Sequence, residues 1–352
     1  MQIHHKTHLF FILILTSLVV IFLISCSKEI HLSSKTPLSR QNFVLGTIVT
    51  ISLYDSDSEE LLDRAFNKLT ELENILSINK TNTVIDTINH HAGITPVEVD
   101  EATYHLIKKG LYYSELTSGA FDITIGPLVK LWNIGFPSAH IPSQEEITNK
   151  LPLVDYHLMT LDDSTHSVYL GKEGMLLDLG GIGKGYATDE IAKLLRAEGV
   201  NHAIINLGGN IYTIGDKPDN RLWTIGVQNP FNPNGDSMGT IGISNQSIVT
   251  SGIYERYITA EDGTTYHHIL DPSTGYPFTN ELAGVSIISD SSTDGDALST
   301  ATFALGLENG LTFIESIDGV DAIFITMDYK VYTTSGIKNQ FKLTNSEFTL
   351  CN

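Results

Sequence analysis

The sequence predicts an α+β protein in which β-sheets are flanked by helices. Some segments have the apolar spacing of strands and others that of amphipathic helices, and the two kinds do not alternate regularly. The chain has 352 residues, of which 41% are hydrophobic and 9% aromatic. That length and composition are sufficient for a large buried core. We therefore expect one folded unit over roughly residues 41–352.

The individual elements follow from the apolar spacing along this unit. Residues 44–53 form a β-type run, and residues 59–76 carry apolar positions at helical spacing. A second amphipathic helix over 104–117 ends at a serine–glycine pair. The remaining elements are predicted in chain order: two short strands between 160 and 179, a helix over 186–197, strands joined by turns over 203–290, a helix over 293–307 and strands over 322–334.

The first 25 residues are typical of a signal peptide. Residues 1–8 carry one lysine and three histidines without an acid, and a mostly apolar run of 16 residues follows over 9–24. Such a run is short for a membrane-spanning helix and suits a signal-peptide core. It ends Leu-Ile-Ser-Cys at Cys26, which resembles a bacterial lipobox and makes Cys26 the expected lipidation site. An ordinary signal anchor is the alternative.

With a lipobox, the mature protein would start at Cys26 and be held to a membrane by acyl chains. Residues 26–40 are polar and indicate a lipidated tether. We therefore expect a lipoprotein of the bacterial cell envelope that faces the periplasm or the exterior.

The charge balance limits the partners of this protein. With 21 basic and 41 acidic residues, the formal net charge is −20. A nucleic-acid partner is not expected, because the chain has no basic excess to displace phosphate counterions. A phosphate-bearing ligand would need local help from main-chain N–H groups, a lysine or a metal ion. The only cysteines are Cys26 and Cys351, which indicates neither a disulfide scaffold nor a zinc site.

A glycine-rich segment, DLGGIGKGYATD at 178–189, could bind an anion. It places four glycines and Lys184 between a predicted strand and a predicted helix. Glycines let main-chain N–H groups approach an anion closely, and the helix N-terminus adds a favourable dipole. The spacing fits neither a Walker loop nor a dinucleotide-binding fingerprint. A tight strand-to-helix turn without a ligand is the alternative explanation of the glycines.

Two further segments carry candidate groups for chemistry. Asp296 and Thr300 stand four residues apart and therefore share one helix face, where a carboxylate and a hydroxyl suit Mg²⁺. A helix-start acid and an ordinary helix-face hydroxyl form the simpler alternative. His268 ends a predicted strand just before a turn at 271–275 and could act as a general base. A purely structural histidine is the alternative there.

Six segments taken together and in order resemble the ApbE family of flavin transferases. They cover most of the chain that follows the tether, and a lipoprotein signal ahead of them also suits the family. The matching segments are FDITIGPLVKLW at 121–132, DLGGIGKGYATD at 178–189, INLGGNIY at 205–212, TSGIYER at 250–256, HILDPSTGYP at 268–277 and DALSTATFALG at 296–306.

The resemblance implies a single catalytic unit of two closely packed lobes and the activity of an FAD:protein FMN transferase. Such an enzyme cleaves FAD, attaches FMN through a phosphoester bond to a Thr or Ser of an acceptor flavoprotein, and releases AMP. It requires Mg²⁺. Typical acceptors are flavin-carrying subunits of membrane redox pumps and extracytoplasmic flavoproteins.

The resemblance also implies roles for individual residues. The metal position falls on Asp296, which is also an expected catalytic residue, on Thr300 and on the main-chain oxygen of Gly181. His268 becomes the candidate general base for the acceptor hydroxyl. Contacts with the flavin nucleotide are implied at eight positions: Leu45, Asn79, Ala120, Phe121, Asp122, Asp178, Lys184 and Leu270.

Two of these positions depart from the usual family pattern. Leu45 stands where the family usually has methionine, and leucine can still pack on the isoalloxazine ring. Asn79 stands where many members have an aromatic residue, and losing that residue could admit water to the phosphorus. The alternative function is therefore a Mg²⁺-dependent FAD pyrophosphohydrolase that gives FMN and AMP. A lipid-anchored flavin-binding protein without turnover is a third hypothesis, which the presence of both Asp296 and Thr300 disfavours.

Overall fold

Strands and helices are mixed along the chain, as the apolar spacing predicts. The computed structural model describes residues 36–232 and 235–351. The helices in this part are α1 Glu59–Leu76, α2 Val84–His90, α3 Glu101–Leu116, α4 Gly126–Trp132, α5 Gln144–Lys150, α6 Gly183–Ala197 and α7 Ser292–Glu315. The strands are β1 Leu38–Val44, β2 Thr47–Leu53, β3 Val97–Glu98, β4 Met159–Asp162, β5 Ser167–Leu170, β6 Ala203–Leu207, β7 Asn210–Ile214, β8 Trp223–Val227, β9 Gly239–Ile243, β10 Ser247–Gly252, β11 Tyr257–Thr259, β12 Thr265–His267, β13 Leu282–Ser289, β14 Asp321–Thr326, β15 Lys330–Thr333, β16 Lys342–Leu343 and β17 Thr349–Leu350.

A nine-stranded sheet is the centre of the fold. Its strand order is β1-β2-β6-β7-β10-β13-β14-β15-β17. The pairs are antiparallel except for the last one, between β15 and β17. Three smaller sheets have the orders β16-β9-β8, β3-β5-β4 and β11-β12.

Both faces of the central strands are buried, which explains their continuous apolar sequence. On β14, Ala322 and Phe324 belong to the larger apolar cluster, which also includes residues of α1, α3, α6 and α7. Their neighbours Ile323 and Ile325 belong to a second cluster shared with β8 and β9. Residues Pro37–Asn352 form one compact unit around these layers. The predicted α+β class with sheets flanked by helices is therefore confirmed.

The long helices agree closely with the predictions. Helix α1 has the predicted bounds, and its N-cap Ser58 accepts a hydrogen bond from the main-chain N–H of Leu61. Helix α7 continues past the predicted end at 307, but its backbone leaves helical geometry at Gly306, where φ is +75°. The short helices α2, α4 and α5 were not predicted, because seven residues each give too little periodicity.

The predicted β-type run over 44–53 is confirmed for most of its length by β2, but it begins in a hairpin turn and is not one continuous strand. Strand β1 ends at Val44 and β2 begins at Thr47. The two residues between them, Leu45 and Gly46, have φ of +55° and +69°, as in the tight turns that suit the twist of a hairpin. β1 also begins at Leu38, so the folded part starts before the predicted boundary at 41.

The predicted signal peptide over 1–25, the lipidation site Cys26 and the tether up to residue 35 lie outside the described residues. Among the residues that the structure does describe, none of the helices is both long and apolar enough to cross a membrane.

Candidate active site

Helices α6 and α7 pack against each other through a glycine. A Cβ at Gly185 would overlap the carbonyl oxygen of Ser292 and lie 2.7 Å from Cβ of Asp296. The absence of a side chain there allows the N–H of Gly185 to donate to Asp296 Oδ2 at 2.8 Å. The ammonium of Lys184 lies 3.4 Å from Oδ1 of the same buried carboxylate. The N-terminus of α6 therefore orients the carboxylate of Asp296.

Asp189, on α6, makes the reciprocal contact with the N-terminus of α7. Its carboxylate accepts from the main-chain N–H groups of Ser292 at 2.8 Å and Thr293 at 2.9 Å. It also accepts from the hydroxyls of Thr293 at 2.6 Å and Ser291 at 3.1 Å. A carboxylate at this position satisfies free N–H groups and complements the helix dipole. Each helix thus supplies a carboxylate to the N-terminus of the other.

The structure corrects the prediction for the glycine-rich segment. Helix α6 begins at Gly183 and not at Tyr186, so Gly183 and Gly185 belong to its first turn. The segment before the loop is an isolated bridge between Leu176 and Ile125, and not a strand. The close approach of α6 to α7 explains the glycine at 185, whereas the loop itself contains Gly180 and Gly181.

The three predicted metal-binding residues converge. Asp296 and Thr300 lie one turn apart on α7, and a Cβ added to Gly181 would lie 3.5 Å from Oγ1 of Thr300. The same Cβ would lie 2.9 Å from the ring of Phe121, which is buried against the loop. Carboxylate, hydroxyl and main-chain carbonyl oxygens are the donors that Mg²⁺ prefers. Residues 36–232 and 235–351 contain no group of three acidic, histidine or cysteine side chains that could hold a metal ion. The candidate site instead offers one carboxylate together with neutral oxygens.

Three basic side chains interact electrostatically with the carboxylate of Asp178, which lies beside the same loop. The Asp178 carboxylate accepts from the N–H of Gly180 at 2.8 Å. Burial raises the pKa of Asp178, while this hydrogen bond and the charges of Lys130, Arg256 and Lys184 oppose the rise. In a chain with a net charge of −20, this places three basic side chains near one another, and the carboxylates of Glu255 and Asp296 also face Lys184. The three basic side chains suit a ligand that carries several negative charges.

His268 is held in a defined tautomer. Its Nδ1 lies 3.2 Å from the main-chain carbonyl oxygen of Arg256. Because a carbonyl oxygen only accepts, Nδ1 carries the hydrogen and donates it. Burial, followed by the charges of Arg256 and Lys184, lowers the pKa of His268 to about 3. The imidazole is therefore neutral at pH 7, and its Nε2 can accept a proton.

The hairpin turn at Leu45 reaches the same region. The N–H of Leu45 donates to Oε1 of Glu73 at 3.0 Å, and the carbonyl of Gly46 accepts from the guanidinium of Arg256 at 3.3 Å. A φ of +55° is strained for leucine, and such strain is commonest at functional positions. Arg256 therefore connects this turn with His268.

The other predicted nucleotide-binding residues differ in how they are placed. The side-chain oxygen of Asn79 accepts from Lys130 at 2.7 Å, so Asn79 lies beside one of the three cations. The buried carboxylate of Asp122 accepts from the N–H and hydroxyl of Thr124, both at 2.7 Å, and from the N–H of Tyr156 at 3.1 Å. These bonds organise the loop, and Ala120 begins it with a turn bond to Thr117.

Leu270 lies apart from the charged groups. It is buried in a small apolar cluster with Leu128, Trp132 and Ile147. Its backbone forms a bridge to Pro277 in the turn that follows His268. The structure therefore brings most of the predicted residues together, but it gives the side chains of Asp122 and Leu270 internal partners.

Sequence reasoning missed Asp189, Lys130 and Arg256 as parts of the site. All three lie in segments that the sequence singles out, namely 178–189, 121–132 and 250–256. No periodicity distinguishes them from surface charges, because their partners are distant in the chain. Only Asp189 had a usable signal. It lies three residues after the predicted helix start at Tyr186, and an acid near a helix start after a glycine loop can accept hydrogen bonds from a neighbouring element.

Comparison with known proteins identifies the class of this chain. The model of the ApbE family matches residues 45–324. A Klebsiella pneumoniae protein named FAD:protein FMN transferase is 40% identical over 305 residues, which cover 87% of this chain and 94% of that protein. A Treponema pallidum protein of the same name is 36% identical over 329 residues, covering 89% and 91%.

Solved structures give the same result. The ApbE protein from Thermotoga maritima has a TM-score of 0.79 at 32% identity, over 86% of this chain and 99% of that one. The flavin transferase ApbE from Vibrio cholerae has a TM-score of 0.77 at 26% identity, with the same coverage. The chain belongs to the ApbE family. It is therefore an enzyme of the transferase class.

Proposed function

We propose that this enzyme cleaves FAD and transfers FMN to a Thr or Ser hydroxyl of an acceptor flavoprotein, with release of AMP. The observation that carries the proposal is that Lys184 connects two kinds of group. Its ammonium lies 3.4 Å from the Asp296 carboxylate on α7, and its charge also acts on the neutral His268, whose Nε2 can accept a proton. The relatives named FAD:protein FMN transferase, which align over most of the chain, support the same activity.

The transfer step can be written with the residues of this chain. The acceptor hydroxyl oxygen attacks the phosphorus of the FMN half of FAD, and its proton passes to Nε2 of His268. The bond between that phosphorus and the bridging oxygen breaks, and AMP leaves with the bridging oxygen. The cations Lys184, Lys130 and Arg256 oppose the negative charge of the diphosphate. The product is an FMN phosphoester of the acceptor.

A pKa of about 3 describes the histidine without substrate. Negative charge near an imidazole favours its protonated form. A bound diphosphate would therefore raise the pKa of His268 toward the physiological range, where a general base is most effective. In this proposal the base becomes active only when the flavin nucleotide is present.

Asp296, Thr300 and the carbonyl of Gly181 would hold Mg²⁺. The residues fit the ion, because they offer hard oxygen donors on two neighbouring segments, and the Asp296 carboxylate is already oriented by Gly185. The ion would neutralise charge on the diphosphate and make AMP a better leaving group.

The lipid anchor and the location complete the proposal. The lipobox-like end of the apolar run at Cys26 supports anchoring through acyl chains at the cell envelope. Acceptors there would be flavin-carrying subunits of membrane redox pumps or extracytoplasmic flavoproteins.

The test uses the full chain in detergent with FAD, Mg²⁺ and an acceptor. The acceptor is a subunit of a membrane redox pump that normally carries covalent flavin, prepared without its flavin. We expect AMP and covalently labelled acceptor in equal amounts, both abolished by EDTA. AMP with free FMN, and no labelled band with any of several acceptors, would replace the transferase by an FAD pyrophosphohydrolase. Bound FAD with neither product would reduce the function to flavin binding.

A further inference from the structure

Four large apolar side chains are exposed on segments that contact Arg256 or adjoin it in the chain. Phe43 is 76% exposed on β1 and Ile48 is 56% exposed on β2, where the two form a cross-strand pair. Tyr257 is 54% exposed at the start of β11, and Phe136 is 40% exposed just after α4. We call these four residues the rim. Single exposed apolar residues are ordinary on a protein surface, whereas a group around one site marks an interaction surface.

Arg256 links the three segments that carry the rim. Its guanidinium donates to the carbonyl of Gly46, in the turn between Phe43 and Ile48. Its stem lies against Gly135, where a Cβ would be 2.9 Å from Cδ of Arg256, and Phe136 is the next residue. Tyr257 follows Arg256 directly in the chain. The rim residues therefore lie on the segments next to Arg256, the residue whose carbonyl holds His268.

We propose that the rim is the docking surface for the acceptor protein, and that it binds the segment flanking the Thr or Ser to be modified. This inference rests on the proposed function. A protein hydroxyl can reach Nε2 of His268 only if its own chain covers the surface around that histidine. Aromatic and aliphatic side chains around a central arginine have the composition of binding hot spots.

The rim is not needed to hold the flavin nucleotide. The groups that would face a diphosphate, namely Lys130, Lys184, Arg256 and the glycine loop, are grouped around Asp178. The side chains of Phe43 and Ile48 instead lie on the solvent-exposed face of the hairpin. Truncation of a rim residue should therefore weaken acceptor binding and leave FAD binding unchanged. This separation makes the inference testable.

The variants are Phe43→Ser, Ile48→Ser and Tyr257→Ser in the full chain. Leu222→Ser is the matched control, because Leu222 is 51% exposed and packs against Gly242 of the β16-β9-β8 sheet. Three quantities are measured: FAD affinity from flavin fluorescence, KM for the flavin-free redox-pump subunit, and binding of the fluorescently labelled subunit without FAD.

We expect each rim variant to raise the acceptor KM and Kd by about fivefold or more, as for loss of a hot-spot side chain. FAD affinity should stay within twofold, and Leu222→Ser should behave as wild type. An unchanged acceptor Kd in all three variants would overturn the inference. A parallel loss of FAD affinity would also overturn it.

The proposed function can fail separately. If the wild-type chain binds the subunit without labelling it, the transferase proposal fails. The rim inference is then tested by whether the rim variants raise the acceptor Kd relative to the wild-type chain. If the wild-type chain binds none of several such subunits, the rim inference is overturned.

Discussion

The two sides of the candidate active site are built in different ways. On the metal side, which comprises Gly181, Gly185, Asp296 and Thr300, α6 and α7 are joined by several short hydrogen bonds through Asp189 and Asp296. On the base side, which comprises Leu45, Gly46, Arg256 and His268, the contacts are single bonds of 3.0–3.3 Å, two of them to main-chain carbonyls and one to the side chain of Glu73.

The difference matches the partners that the two sides would have. Pre-oriented oxygen ligands gain affinity for a metal and for phosphate, because little reorganisation is needed on binding. A surface that must admit and release a protein segment cannot be filled by internal contacts. The metal side is therefore complete within the chain, whereas the base side is exposed and lined by unpartnered apolar groups.

The largest effect should come from the metal side. Asp296→Asn keeps the size of the side chain but removes the charge that would bind Mg²⁺. We expect AMP release to fall at least a hundredfold, on the scale seen when an electrostatic group is removed from an active site. Release is measured across a Mg²⁺ titration, with melting temperature as the control for folding. Unchanged release would contradict the assignment of Asp296 to the metal.

The next effect should come from the base. His268→Gln removes the proton acceptor, and we expect transfer to slow by about a hundredfold, as for the loss of a general base. FAD affinity should hardly change, which fluorescence titration checks. His157→Gln, an exposed histidine beside Asp155, serves as the control. Equal losses of transfer and FAD affinity would instead indicate a structural histidine.

A smaller effect on Mg²⁺ binding is expected from replacing Asp189. Its carboxylate would not touch the ion but holds the N-terminus of α7, the helix that carries Asp296 and Thr300. Asp189→Asn cannot accept all the N–H and hydroxyl donors of the helix N-terminus. We expect binding of Mg²⁺ to weaken about tenfold, as for losses behind metal ligands. Calorimetric titration with the metal alone measures this, and high Mg²⁺ should restore turnover.

The matched control for Asp189 is Asp100→Asn. Asp100 caps α3 through the N–H and hydroxyl of Thr103, at 3.0 and 2.6 Å, but α3 carries none of the proposed ligands. Both variants should lose similar stability, about 1 kcal/mol for a helix cap. If Asp100→Asn weakened Mg²⁺ binding as much as Asp189→Asn, the contact would be only structural.

The smallest effect concerns pH. The pKa of His268 is about 3 in the folded chain and 6.5 ordinarily. Between these values the unfolded chain binds a proton that the folded chain does not, so stability falls as the pH drops below about 6.5. The His268→Gln variant lacks this titrating group, so it should lose less folding stability at pH 5 than the wild-type chain. Because the ring is partly exposed, we expect the difference to be only about 1 kcal/mol, or about 2 °C in melting temperature. Parallel pH curves for both chains would contradict the low pKa.

The long elements and the main site residues were predictable from the sequence. Helix α1 follows from its apolar spacing and serine cap, because such features act within a few residues. The pair Asp296 and Thr300 follows from helical geometry, since positions four apart share a face. Glycines and turn residues around His268 similarly report local backbone requirements.

Only the tertiary structure decided where α6 begins and what completes the site. Gly183 and Gly185 look like loop residues in the sequence, but both lie in the first turn of α6, and Gly185 is packed against α7. Asp189, Lys130 and Arg256 have partners far along the chain, namely α7, Asn79 and Gly46. Periodicity and caps are local, whereas a pairing between distant segments depends on which surfaces the folded core brings together. For that reason the sequence indicates the chemistry of the site, and the fold determines which charges surround it.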